Sequence, residues 1–145
     1  MPFARLALPL LLLASLAVHA EDSPDEAKFL KESADYFDQV TKSNLPRQVD
    51  KVTTLNSVQL DPAKKMLYYR YAISNLRLDA MDLGARAKFE NGLKKQLEDT
   101  TCQQPDLLQR FREHHLSVTH EYAGSDAKPL ASITIDPQNL SCAKI

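Results

Sequence analysis

The stretch Met66-Leu67-Tyr68-Tyr69-Arg70-Tyr71-Ala72-Ile73 constrains this chain more than any other. Leu67, Tyr69, Tyr71 and Ile73 fall on one side of an extended chain, while Met66, Tyr68, Arg70 and the following Ser74 fall on the other. A period of two with one apolar side demands a sheet that buries one face. The preceding run VDKVTTLNSVQL supplies a second strand, joined through a turn at Asp61-Pro62-Ala63-Lys64, with Val52, Val58 and Leu60 in the inner set. Leu55 is out of phase with them, which predicts either a bulge or an exposed leucine.

The rest of the chain supplies what covers that face. Ser23-Pro24-Asp25-Glu26 combines an N-cap, a proline at the first helical position and a capping-box glutamate. Behind it Ala27, Leu30, Ala34 and Phe37 share one stripe, flanked by Phe29, Tyr36 and Val40, and the helix must end before Pro46. From Asp79 to Thr100 the period is again helical, with Met81, Ala85, Phe89, Leu93 and Leu97 four apart, although Gly84 and Gly92 weaken it. A short helix over Pro105 to Arg112 follows, packed through Leu107, Leu108 and Phe111. LSVTHEYA and LASITID around GSDAKP then form a second hairpin. Helix-then-hairpin twice over predicts an α+β domain, with a four-stranded antiparallel sheet of two hairpins and two or three helices on one face.

Two further features place and staple this domain. Residues 1–20 carry Arg5, an apolar run from Leu6 to Val18 and a small-residue site ending at Ala20, the layout of a cleaved secretory signal peptide. The run is shorter than the roughly 20 apolar residues of a membrane span, and no cysteine follows the cleavage site to take a lipid. The reading is therefore an exported domain over 21–145, periplasmic or secreted, without a membrane span. In an oxidising compartment Cys102 and Cys142 have only each other, which predicts one disulfide; a reactive pair or half a metal site are the alternatives. Losing Arg5 leaves 17 basic against 19 acidic residues, without the positive excess of a nucleic-acid binder.

Motifs for chemistry are sparse. There is no G-x-S-x-G, and the three glycines form no phosphate-binding loop. His114, His115 and His120, beside Glu113 and Glu121, are weak metal-ligand candidates; adjacent histidines at a helix end point different ways, and strand alternation puts His120 on the face of Val118 and Tyr122, as a core or sheet-edge histidine. No cofactor is implied. On the outer strand face, Met66, Tyr68 and Arg70 form an aromatic and guanidinium patch of a composition enriched at protein interfaces.

One pattern extends over most of the chain after the leader: Leu45-Pro46-x-x-Val49-Asp50-x-x-Thr53-x-Leu55-x-x-Val58, then Leu67-x-Tyr69-x-Tyr71-x-Ile73, Cys102, a final hairpin and Ser141-Cys142. It resembles small exported bacterial proteins of unknown function, in particular a pseudomonad family of proposed quorum-sensing-regulated secreted virulence factors. The resemblance implies the fold and an exported, virulence-associated role; that family has no assigned catalytic residues to carry over. Two functional expectations follow. The first is a non-enzymatic interaction protein that binds an unknown protein partner in the envelope or outside the cell through its outer sheet face. The second is a periplasmic small-ligand or metal-binding module, or a small hydrolase, in which at least two of His114, His115, His120, Glu113 and Glu121 converge in a cleft.

Overall fold

The computed structural model describes residues 22–142. The leader predicted over residues 1–20 lies outside the described residues.

Helix α1 (Pro24–Asn44) begins where its cap predicts: the Ser23 Oγ accepts from the Glu26 N–H at 3.2 Å. Only half of the capping box forms, because the Glu26 carboxylate turns to His114 instead of reaching back to Ser23. The apolar stripe seats Leu30 in the core at 2% exposure, whereas Tyr36 at the edge of the stripe stays open at 61%. Near its end α1 lies against the sheet, where Thr41 makes two bonds to one residue: its hydroxyl donates to the Val58 carbonyl at 2.8 Å and accepts from the Val58 N–H at 3.0 Å.

A cis Leu45–Pro46 peptide leads into β1 (Arg47–Gln48), followed by β2 (Thr53–Asp61) and β3 (Met66–Ile73). Asp61 Oδ1 accepts from the Ala63 and Lys64 N–H groups and so closes the β2–β3 turn. The chain next makes a single 3₁₀ turn over Leu78–Ala80, then helix α2 (Leu83–Cys102) and helix α3 (Pro105–Glu113). Helix α2 starts later than the periodicity predicts because Asp82 is its N-cap, with Oδ1 accepting from the Ala85 N–H at 2.7 Å. Gly84 and Gly92 both lie inside it without breaking it. Strands β4 (Ser117–Ala123) and β5 (Pro129–Ile135) complete the sheet.

The sheet corrects the four-stranded antiparallel expectation in two respects. It has five strands in the order β1-β2-β3-β4-β5, and β3 pairs with β4 in parallel, so the sheet is mixed. Each predicted hairpin is present and antiparallel. Between them, however, α2 and α3 carry the chain back across the sheet, and such a helical crossover returns the next strand in the same direction. At two residues β1 is too short to show any periodicity.

Register then decides which side chains face the helices. Leu67, Tyr69 and Tyr71 of β3 stand beside Val118, His120 and Tyr122 of β4, and β2 adds Val58 opposite Tyr69 and Leu60 opposite Leu67. The ladder shifts between Leu55 and Ser57, leaving Asn56 as the extra residue and pairing Leu55 with Tyr71. The bulge thus returns the out-of-phase leucine to the inner face, where it packs against the core.

All three helices lie on this face, over two clusters. Leu30 and Phe111 meet Val58, Leu60, Leu67 and Val118 at one end. Phe89, Leu93 and Leu97 approach Ile73, Tyr122 and Ile133 at the other. After β5 the chain crosses α3: Arg112 donates to the Pro137 and Leu140 carbonyls, both at 2.8 Å, and Gln138 Nε2 donates to the Arg112 carbonyl at 2.7 Å. At Cys142 the tail is tied to the end of α2, with the Cys102 and Cys142 sulfurs 1.98 Å apart.

Candidate interaction surfaces

Among the described residues, the outer face of the sheet carries no helix. Met66, Tyr68 and Arg70 sit there half-exposed, in register with Ser117, Thr119 and Glu121 of β4. Arg70 is held from three sides. Its Nε donates to Glu121 Oε2 at 2.8 Å, its Nη1 donates to Gln59 Oε1, and its Cζ lies 5.3 Å from the centre of the Tyr68 ring. The Arg70–Glu121 side chains remain about 40% exposed (42% and 39%), so the pair contributes only about 0.2–1 kcal/mol and acts mainly to orient the guanidinium. Beneath Tyr68 and Met66 is Thr119, 5% exposed, whose hydroxyl lies 2.9 Å from that of Thr134 and donates to Met66 Sδ at 3.1 Å. Further along the strands a trough of about 470 Å³ is lined by Ser57, Arg70, Glu121 and Ser132. The register shifts at Leu55/Ser57 and at Tyr122/Ala123 flank the adjacent Tyr71–Tyr122 rung. Bulges at one level on two strands bend the sheet there.

The inner face holds a ladder of stacked rings: Tyr69 on His120 at 5.1 Å, His120 beside Tyr71 at 5.9 Å and Tyr71 on Tyr122 at 4.7 Å. Burial pushes the His120 imidazole down to about 4, so at neutral pH it is an uncharged ring, with Nδ1 3.3 Å from the Tyr71 hydroxyl. Burial likewise raises the Tyr69 and Tyr71 phenols, and pushes Tyr122 up to about 12 with a further contribution from the nearby Asp50 carboxylate.

The remaining candidates do not assemble. His114 Nδ1 pairs with Glu26 Oε2 at 2.8 Å and its ring stacks on Phe29 at 3.7 Å, tying the end of α3 to the start of α1. His115 is exposed with φ 53° and leads into β4, His120 belongs to the inner ladder, and Glu121 is on the outer face. Among the described residues no three histidine, cysteine or acidic side chains group to hold a metal. The convergence required by the hydrolase or metal-module expectation is not formed by these residues.

Helix α2 shows what sequence reasoning missed. None of its residues is buried, and Phe89, Leu93 and Leu97 are only half-covered although they face the sheet. A cleft of about 660 Å³ separates them from Leu55, Tyr71 and Tyr122, with Asp50 at its margin. Helical periodicity reports which side of α2 is apolar but not how far from the sheet it stands.

No protein-family model matches the chain, and no curated protein matches it. Solved structures do share its fold. A Pseudomonas aeruginosa protein described as a "putative secreted protein" aligns at TM-score 0.51 and 13% identity, over 80% of this chain and 96% of that one. The pilotin EpsS of the Vibrio vulnificus type 2 secretion system aligns at TM-score 0.59 and 11% identity, over 83% and 100%. The type II secretion system pilotin AspS from Vibrio cholerae aligns at 0.53 and 10%, over 79% and 94%. At these identities the likeness is one of fold. The shared fold is found in bacterial proteins, one of them from a pseudomonad.

Proposed function

We propose that this is an exported, non-enzymatic protein of the bacterial envelope or its surroundings, which binds a protein partner through the outer face around Met66, Tyr68 and Arg70. The observation that carries the reading is the state of Arg70. It is oriented by Glu121 and Gln59, packed beside Tyr68 and left half-exposed on a face that no helix among the described residues covers. Aromatic residues and arginine held in place before binding lose little conformational freedom on association. The two pilotins of the same fold support a secretion-related role, and the leader with the Cys102–Cys142 pair supports export into an oxidising compartment. A virulence-associated role rests on the family resemblance.

The test is an affinity capture from envelope and culture-supernatant fractions, run with the oxidised protein and with a Tyr68→Ala/Arg70→Ala variant shown by circular dichroism to be folded. The reading expects one partner retained by the native protein and lost by the variant. A partner retained equally by both, or none retained by either, refutes the outer face as the docking surface.

A further inference from the structure

The cleft under α2 lies on the opposite face from the Tyr68–Arg70 patch, and its chemistry differs. Its walls are mostly apolar or aromatic: Phe89, Leu93 and Leu97 from the helix, with Tyr71 and Tyr122 on the sheet side, where Thr53 and Asn75 add neutral polar groups. Asp50 is the only charged residue among those lining it, and Gln96 and Thr100 are neutral polar residues on the helix side. The carboxylate is fixed in place. Its Oδ1 accepts from the Val52 and Thr53 N–H groups, each at 2.8 Å, which uses one oxygen for the turn. The Thr53 side chain also supports the carboxylate. The Val52 N–H, with Thr53, holds the carboxyl below its ordinary range, so it is ionised at neutral pH, and no cation enters the balance around it.

A single fixed anion at the mouth of an aromatic and aliphatic cleft is complementary to one kind of group: a cation on an apolar stem. Lysine and arginine side chains have that form, since their methylenes lie against apolar walls while the charged head reaches a carboxylate or a ring face. A cleft of about 660 Å³ is large enough to take several side chains at once. We propose that this cleft is a second docking site, which accepts an apolar protein segment carrying a lysine or arginine, with the cation at Asp50 and the flanking apolar residues against Phe89, Leu93 and Leu97.

The chain contains no tryptophan, which makes a direct assay possible. The probes are three synthetic helical peptides built from leucine and one polar residue, lysine, glutamate or glutamine, each with one tryptophan whose emission and anisotropy report binding. The proposal expects the lysine peptide to bind most tightly. Asp50→Asn keeps the Oδ1 acceptor of the turn and should weaken that peptide by about fivefold, the scale of a partly exposed charge pair with a ring contribution. It should leave the glutamine peptide unchanged. Gln96→Glu, which adds a second carboxylate on the exposed helix side, should tighten the lysine peptide, and Tyr68→Ala/Arg70→Ala should leave it unaltered. Equal binding of the three peptides, binding indifferent to Asp50→Asn, or no binding of the lysine peptide would overturn the proposal while leaving the outer-face reading untouched.

Discussion

Replacing Thr41 by valine tests how the first helix is joined to the sheet. Thr41 and valine have nearly the same shape, so the change deletes a hydroxyl without opening a cavity. That hydroxyl both donates to the Val58 carbonyl and accepts from the Val58 N–H, standing in for a neighbouring strand at this point on β2. Val58 itself is 4% exposed, so water cannot readily replace both bonds. A net hydrogen bond contributes about 0.5–1.5 kcal/mol, and an orphaned buried partner costs about 1–3 kcal/mol. Losing the pair should therefore destabilise the fold by about 2 kcal/mol, which for a domain of this size lowers the Tm by roughly 5–10 °C. The assay is urea denaturation of the native protein, Thr41→Val and Thr41→Ser, with hydrogen exchange at the Val58 amide. Serine keeps the hydroxyl and should retain most of the protection; valine should lose it. If valine unfolds with serine, or the Val58 amide exchanges at the same rate in all three, the hydroxyl is not what holds α1 to β2.

His120 gives a pH dependence of fixed sign. Its folded value of about 4 lies below the ordinary 6.5, so the unfolded chain takes up a proton that the folded one refuses, and stability falls as pH drops from about 6.5 towards 4. Discounted for partial exposure, the loss is about 2 kcal/mol, and denaturation at pH 7 and 4.5 should show it in the native protein and much less of it in His120→Gln. The Cys102–Cys142 link closes a sequence separation of 40, so Cys102→Ser/Cys142→Ser should lose about 4 kcal/mol in the chain-entropy account, with thiol titration of the native protein finding no free sulfhydryl until it is reduced.

Local rules carried the sequence as far as they operate. Ser23 and Pro24 marked the start of α1 because a cap is a short-range bond, and strand alternation sorted Tyr69 and Tyr71 from Tyr68 and Arg70 because a pleat has period two. Alternation also flagged Leu55, whose dislocation proved to be the Asn56 bulge. What escaped was long-range. Glu26 left its capping box for His114, 88 residues away, and β3 met β4 in parallel because of the path taken by two helices. The Asp50 cleft was missed for a related reason: the run VDKV was read as the start of a strand, whereas Asp50 caps a turn before Thr53, and the gap beneath α2 is set by packing.

The parallel pairing at the centre of the sheet has a kinetic consequence. Strand β3 is complete by Ile73, yet the neighbour that closes its second edge begins at Ser117, beyond two intervening helices in the chain. A chain that emerges from its N-terminus holds one strand edge unpaired through that whole interval, in the form most prone to intermolecular pairing. Arg70 then stands where β4 has yet to arrive, and a charge on a waiting edge discourages the wrong strand from docking there. The placement of Arg70 on that edge thus has a consequence for assembly that is separate from the docking proposed for the finished sheet.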